Sequence, residues 1–369
     1  MHIVSNISSG NLATNPVVIL STCHGHGYGA ERVLEYLLAN IDDKYRRHLV
    51  VVAPSDSGVF DTSKTLNYRT LNWPTRNHCT FVGNFKAYLK IRKQISDLNP
   101  RIVHAWHGRN FEWAFLLGGS KGCSGTLHDH PASPGLSLSR KWIFKNASDR
   151  FRFVVAVSDA LAASCRHHYW KAPCKVIKNG LPFIPIPPHQ HSNNNRFNIA
   201  FLGCNERWKG AERVFELIKS PLSSPYNWNF YGDIKSSSLD GLAGLIERAG
   251  SNVSYFGRMP VDKILSNNDI VLHPSINFDP FPTVLLEAAR SGVPSICSDV
   301  GGSSEIVEHS KTGFVFSRFD VNEIFSFMQT LLCNKSLYSR FSELSRNRYI
   351  EHFQAETMAA KYLKAWNIL

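Results

Sequence analysis

Short apolar runs recur along the chain, separated by stretches with helical spacing. Val17–Leu20, Leu49–Val52, Ile102–His104 and Phe153–Val157 form one series. Asn198–Leu202, Asn227–Tyr231, Ile270–Leu272 and Pro294–Cys297 form a second. Runs of this kind belong to strands buried on both faces, as in parallel sheets covered by helices. Behind the first run, Ala30–Asn40 carries Val33, Leu34, Leu37 and Leu38 at helical spacing. Two such series in one chain predict two doubly wound α/β domains. Between them lies L-P-F-I-P-I-P-P-H-Q-H-S-N-N-N-R, residues 181–196. Its prolines cannot sit inside a helix and its asparagine run is turn-like, so it reads as the linker.

Composition narrows the class. The 369 residues are 43% hydrophobic and 19% charged, enough to bury two cores. No apolar run approaches the roughly 18 residues of a spanning helix. Residues 1–10 lack the basic and apolar segments of a secretory signal. Eight scattered cysteines without a C-x-x-C read as reduced cytosolic thiols, so neither a disulfide framework nor a metal site is expected.

The charge is one-sided. Residues 1–190 hold 23 Lys and Arg against 11 Asp and Glu, while residues 191–369 hold 18 of each. The net +12 therefore sits in the first half and calls for an anionic partner. No nucleic-acid recognition motif accompanies it. Residues 84–98 and 140–145 mix cations with aromatics and could lie on an anionic bilayer. For the first of these, Phe85, Tyr88, Leu89 and Ile95 are expected on one face and Lys86, Lys90 and Lys93 around the other.

Ligands of doubly wound sheets bind beyond the carboxyl ends of the strands, so the following loops carry the candidate chemistry. After the first run comes H-G-H-G-Y-G-A-E-R, with His24, Gly27 and Gly29, leading into a helix whose free N–H groups attract anions. Thr126–His130 includes His128. Gly203 to Gly210 contains the cations Arg207 and Lys209. Phe256-Gly257-Arg258 follows, then D-P-F-P-T-V-L-L-E-A-A-R-S-G-V-P from Asp279, then Gly301-Gly302-Ser303-Ser304-Glu305. If Pro282 or Thr283 starts a helix, Glu287 lies about one turn into it, and Gly292 and Pro294 end it. Its first-turn N–H groups then offer an anion site.

This order of motifs resembles glycosyltransferase family 4, the retaining nucleotide-sugar transferases of the GT-B fold. The resemblance runs from Gly29–Arg32 to the end of the chain and is densest over 269–313. It implies two Rossmann-like domains facing across a cleft. An acceptor domain would span 1–181, with the helix at 355–369 packed back on it. A linker at 182–196 and a nucleotide-sugar domain at 197–354 would follow. It implies a transferase moving a sugar from a nucleoside diphosphate sugar to a glycan or polyprenyl-linked acceptor, without metal or other cofactor. The family's usual setting is bacterial lipopolysaccharide, O-antigen or capsule synthesis, in the cytoplasm or peripherally on the inner face of the plasma membrane.

By the same resemblance, Glu287 binds the ribose and Asp279 grips hydroxyls of the transferred sugar. Lys209 meets the diphosphate, and Gly203, Arg258, Phe281, Pro282 and Thr283 complete the donor site. His128 orients the sugar or handles a proton. His24, Gly27 and Gly29 line the acceptor or phosphate side. Two positions depart from the family. Asp279-Pro280 stands where Glu-Gly is usual, and Cys204 occupies the place of a diphosphate-binding Arg, for which Arg207 is the nearby substitute. These departures would be the signature of a non-catalytic scaffold of the same fold, told apart by donor hydrolysis without acceptor; a nucleotide-sugar 2-epimerase on the same fold is the other reading, told apart by its product.

Overall fold

A computed structural model describes residues 14–25, 29–73, 81–118, 122–131, 138–168, 171–185, 196–203, 207–233 and 251–369, with backbone alone at 81–87, 109 and 140. The chain divides into two compact units. One comprises Met1–Val157, Ala162–Pro182 and Ala355–Leu369; the other comprises Ser158–Leu161 and Phe183–Gln354.

The first unit is built on seven parallel strands, β1 (Val17–Leu20), β2 (Leu49–Ala53), β3 (Arg69–Asn72), β4 (Ile102–Trp106), β5 (Cys123–Leu127), β6 (Phe151–Ala156) and β7 (Cys174–Val176). Their order is β3-β2-β1-β4-β5-β6-β7. The order reverses between β1 and β4, and the crevice at such a switch point is where ligands bind. Val17–Leu20 and Leu49–Ala53 are wholly buried, which is why their side chains are apolar at every position.

Helix Ala355–Ala365 belongs to this unit. Met358, Ala359, Tyr362 and Leu363 recur on one face of it and are buried, as is the following Trp366. Tyr362 and Thr126 share a hydrogen bond at 2.9 Å through their hydroxyls, and Trp366 lies edge-on to His104. Each large side chain fully buried this way stabilises by roughly 1.5–3 kcal/mol.

The second unit has six parallel strands, β8 (Phe197–Leu202), β9 (Tyr226–Tyr231), β10 (Val253–Tyr255), β11 (Ile270–His273), β12 (Ser295–Ser298) and β13 (Gly313–Phe316). The order β10-β9-β8-β11-β12-β13 puts its switch point between β8 and β11. Phe197, Trp228, Phe230, Phe316 and Tyr338 fill its core.

Two sequence expectations are corrected here. Thr126 and Leu127 are the last residues of β5 and not part of a loop; the run hides because Gly125 occupies it, with the Phe111 ring where a Cβ would be. In helix Phe81–Asp97 the buried stripe is Tyr88, Ile91 and Ile95, whereas Leu89 is 49% exposed. Leu89 sits one residue off the 3.6-residue period and so turns to water with Lys90 and Lys93. The side chains of Phe85 and Lys86 lie outside the described residues.

Candidate functional site

The loops after β8 and β11 meet at the switch point of the second sheet. Strand β8 is followed by Gly203, whose φ of +103° favours glycine. A single 3₁₀ turn, Arg207–Lys209, leads to Gly210 at φ +90° and helix Ala211–Lys219. A Cβ on Gly210 would fall 2.1 Å from the Pro274 carbonyl oxygen, so this glycine lets the two loops touch. Arg213 fastens them by donating to the Pro274 and Ser275 carbonyls at 3.2 and 3.0 Å.

Lys209 Nζ donates to Asp279 Oδ2 at 2.5 Å. The same oxygen lies 3.1 Å from His273 Nε2, which is itself 3.0 Å from Ser275 Oγ. Asp279 and His273 are buried and Lys209 is mostly so. Burial alone would raise the Asp279 carboxyl, but the Lys209 charge and the His273 hydrogen bond outweigh it and hold it well below the usual carboxylate range. Burial pushes the His273 imidazole down, against the pull of Asp279. The cluster is therefore a carboxylate clasped between an ammonium and a neutral ring.

A second clamp fixes the Asp279 backbone. Gly302 N–H donates to the Asp279 carbonyl at 2.9 Å, and a Cβ on Gly301 would stand 2.0 Å from that oxygen. The Gly301-Gly302 pair is thus required by close approach. Glu305 accepts the N–H groups of Asp159 and Ala160 at 3.0 and 2.8 Å, the role an N-cap side chain plays.

Helix Thr283–Ser291 follows directly, with Pro282 at its N-cap and Gly292 at its C-cap in the left-handed region. Pro282 makes no side-chain capping bond, although its carbonyl accepts the Leu285 N–H at 3.1 Å, so the Thr283 and Val284 amides are the first-turn donors it does not cap. Glu287 is 5% exposed, in the second turn. Phe281 is buried against Phe353, which leaves only its backbone to face a ligand. Arg258 is exposed after β10, beside Gly257 at φ +65°. Arg207 points into solvent and pairs with Glu212 at 2.9 Å. Cys204 lies outside the described residues.

The remaining candidates belong to the first unit. His128, the first residue after β5, packs on Trp106 with ring centroids 5.1 Å apart. Burial first, then His107 and His104, push its pKa down to about 3, so it is a neutral ring at physiological pH. His24 Nδ1 lies 2.7 Å from Asp56 Oδ1. Gly29 opens helix Gly29–Ala39, and a Cβ there would meet nothing within 4 Å. Gly27 lies outside the described residues.

Sequence reading found Lys209, Asp279 and Glu287, but gave no role to His273 or Arg213. His273 ends an otherwise apolar strand, which is a visible oddity; Arg213 sits in an ordinary amphipathic helix and shows none.

Known proteins resemble this chain. The model of Glycosyltransferase Family 4 matches residues 10–182, and that of Glycosyl transferases group 1 matches residues 185–348. An uncharacterized 41.2 kDa protein in the cps region of Klebsiella pneumoniae is 26% identical over 46% of each chain. The poly(ribitol-phosphate) alpha-N-acetylglucosaminyltransferase of Staphylococcus aureus is 22% identical over 62% of this chain and 46% of its own. The chain thus spans less than half the length of these curated relatives. The structure of Anabaena Alr3699/HepE in complex with UDP and glucose superimposes with a TM-score of 0.80 at 19% identity, over 96% of this chain and all of that one. The two-domain GT-B fold is therefore shared. Among the described residues no helix is long and apolar enough to cross a membrane.

Proposed function

Because the chain belongs to glycosyltransferase family 4, we propose that it transfers a sugar, with retention of configuration, from a nucleoside diphosphate sugar to a glycan or lipid-linked acceptor of a bacterial surface polysaccharide. The observation that carries this reading is the Lys209–Asp279–His273 cluster ahead of the uncapped helix start at Thr283. UDP is the first nucleotide to test, since a solved relative holds it.

In this reading the diphosphate settles on the first-turn amides of helix Thr283–Ser291, where the helix dipole favours anions. Lys209 meets the charge that develops on the leaving β-phosphate, a preorganised electrostatic contribution. Its ammonium already has a carboxylate partner, so donor binding divides it between Asp279 and phosphate. Asp279, aimed by His273, accepts sugar hydroxyls through its remaining lone pairs. Glu287 accepts the ribose hydroxyls. Arg207 supplies charge only by leaving Glu212. His128, being neutral, contributes a hydrogen bond and not a cation.

The basic first half suits a phosphate-bearing acceptor or an anionic membrane surface. An anionic polymer acceptor is named for the Staphylococcus relative. Helix Leu138–Asn146 offers a bilayer Trp142 and Leu138, 57% and 85% exposed, beside the exposed Lys141 and Lys145. The enzyme would then act peripherally on the inner face of the plasma membrane.

The test is a thermal-shift screen against nucleotides and nucleotide sugars, followed by donor hydrolysis without acceptor. A ligand at about 100 times its dissociation constant adds roughly 2.7 kcal/mol of stability. Glu287→Ala is expected to keep the fold and lose turnover at low donor concentration. Wild-type turnover in that variant removes Glu287 from the donor site. A screen without any stabilising nucleotide sugar favours the scaffold reading.

A further inference from the structure

The first sheet also has a switch point, between β1 and β4, and three ligand-type side chains converge there. Cys23 follows β1, His107 follows β4, and Glu31 lies in the first turn of helix Gly29–Ala39. Cys23 Sγ is 3.2 Å from His107 Nε2, which is 3.5 Å from Glu31 Oε1, and all three atoms lie within 4.8 Å of one another. Glu31 and His107 side chains are only 5% and 14% exposed. Glu31 Oε1 is buried and accepts no hydrogen bond among the described residues. A buried carboxylate in that state calls for a cation.

The separations of His107 Nε2 from the other two ligand atoms, 3.2 and 3.5 Å, are close to those around a tetrahedral metal. Bonds of about 2.3 Å to sulfur and 2.0–2.2 Å to nitrogen and oxygen place tetrahedral ligand atoms about 3.3–3.6 Å apart. The surrounding bonds hold the three residues in register. Thr22 donates through both N–H and Oγ1 to Asn110 Oδ1, tying the loop after β1 to the turn after β4. Asn110 donates in turn to the Trp106 carbonyl, and Trp106 Nε1 donates to Ala30 O at 2.8 Å, which fixes the turn bearing Glu31. His107 itself is held at φ +73°, a left-handed conformation costly for histidine, with its N–H on the Thr126 carbonyl. Strain of this kind collects at functional sites.

We propose that Cys23, Glu31 and His107 bind one divalent cation of the zinc class, as thiolate, carboxylate and neutral imidazole, with water in the fourth position. Sulfur and nitrogen donors select borderline-soft metals over magnesium or calcium. Binding releases the thiol proton to solvent, and the two anionic ligands neutralise the ion. Three protein ligands and an open position are also the composition of reactive zinc sites. The site stands independently of the donor chemistry in the other unit.

The test uses the full chain, stripped of metal and kept reduced, titrated with Co²⁺. One equivalent is expected to bind with a thiolate-to-cobalt charge-transfer band, which Zn²⁺ then abolishes. Cys23→Ser should lose the band. Glu31→Gln, which keeps shape and removes charge, should weaken Co²⁺ binding at least about tenfold. A wild-type spectrum without the band, or one unchanged in Cys23→Ser, overturns the proposal. Should Cys23→Ser fail to fold, unchanged affinity in Glu31→Gln overturns it equally.

Discussion

Lys209 and Asp279 form one buried charge pair, nitrogen to oxygen 2.5 Å, although the sequence assigns them to different parts of a donor. Removing either leaves the other charged and enclosed. Lys209→Ala should therefore slow transfer by on the order of a hundredfold and also cost about 3 kcal/mol of stability. Adding Asp279→Asn should restore most of the stability but not the rate, because the orphaned charge is gone while the phosphate still lacks its cation. Donor hydrolysis and urea melts on the four members of the cycle decide this. A single variant as stable as wild type shows that the pair contributes nothing to folding.

Gly301→Ala is expected to disturb the same cluster through the backbone. At φ +71° an alanine is strained, and its Cβ would sit 2.0 Å from Asp279 O and 2.9 Å from Asp279 N. The loop must shift, at a cost of at least about 2 kcal/mol, and donor affinity should fall with it. Calorimetric donor titration and a thermal melt report the two effects; wild-type values in both would mean the loop yields freely.

Acid should destabilise the protein well before its carboxylates titrate. Burial lowers His104 and His128 to about 3, and lowers His273 as well. Unfolded histidine titrates near 6.5, so below that pH the unfolded chain binds protons the folded one refuses. The contribution of His104 and His128 is complete above about pH 6.5 and is lost as pH falls toward 3, by roughly 1.4 kcal/mol per pH unit for each, and His273 adds to it in the same direction. The depressed Asp279 carboxyl adds its own loss only below about pH 4. His104 is wholly buried between Ser124 Oγ and Thr126 Oγ1, at 2.6 and 2.9 Å. His104→Gln should lower stability at neutral pH and flatten the acid slope by about one proton. Urea melts between about pH 4 and 7 measure that slope, and an unchanged slope would mean His104 protonates in place.

Vesicle binding is the fourth expectation. Anionic vesicles should retain the protein and neutral ones should not, with about 1 kcal/mol from each nearby Lys or Arg, fading as salt rises. Lys141→Glu with Lys145→Glu should weaken co-sedimentation and spare donor hydrolysis. Equal binding to both lipids, or none at low salt, assigns the basic half to a soluble phosphate-bearing acceptor.

How much of this was readable beforehand follows from burial and distance along the chain. Strands such as Leu49–Ala53 announce themselves because both faces are covered. Arg69–Asn72 does not, being a polar edge strand, nor does Cys123–Leu127, whose glycine makes room for Phe111. The helix at Thr283 was legible because its start and stop residues and Glu287 are local to one another. The Lys209–Asp279 pair spans 70 positions and exists only because β8 and β11 are neighbours. Cys23, Glu31 and His107 show no ligand spacing for the same reason: sheet order, not sequence order, assembles them.

Helix Ala355–Ala365 completes the core of the unit whose strands end at Val176. On the ribosome this imposes a wait. Between Pro182 and Ala355 lie roughly 170 residues, which at about 5–20 residues per second take on the order of ten to thirty seconds to synthesise. Throughout that interval the nascent first sheet lacks the side chains that cover His104 and Trp106, with its apolar face open to water or to a chaperone. The second unit is free to fold first, although its sequence is translated later, and a nonsense mutation just before Ala355 would strike the half of the protein farthest from it in sequence.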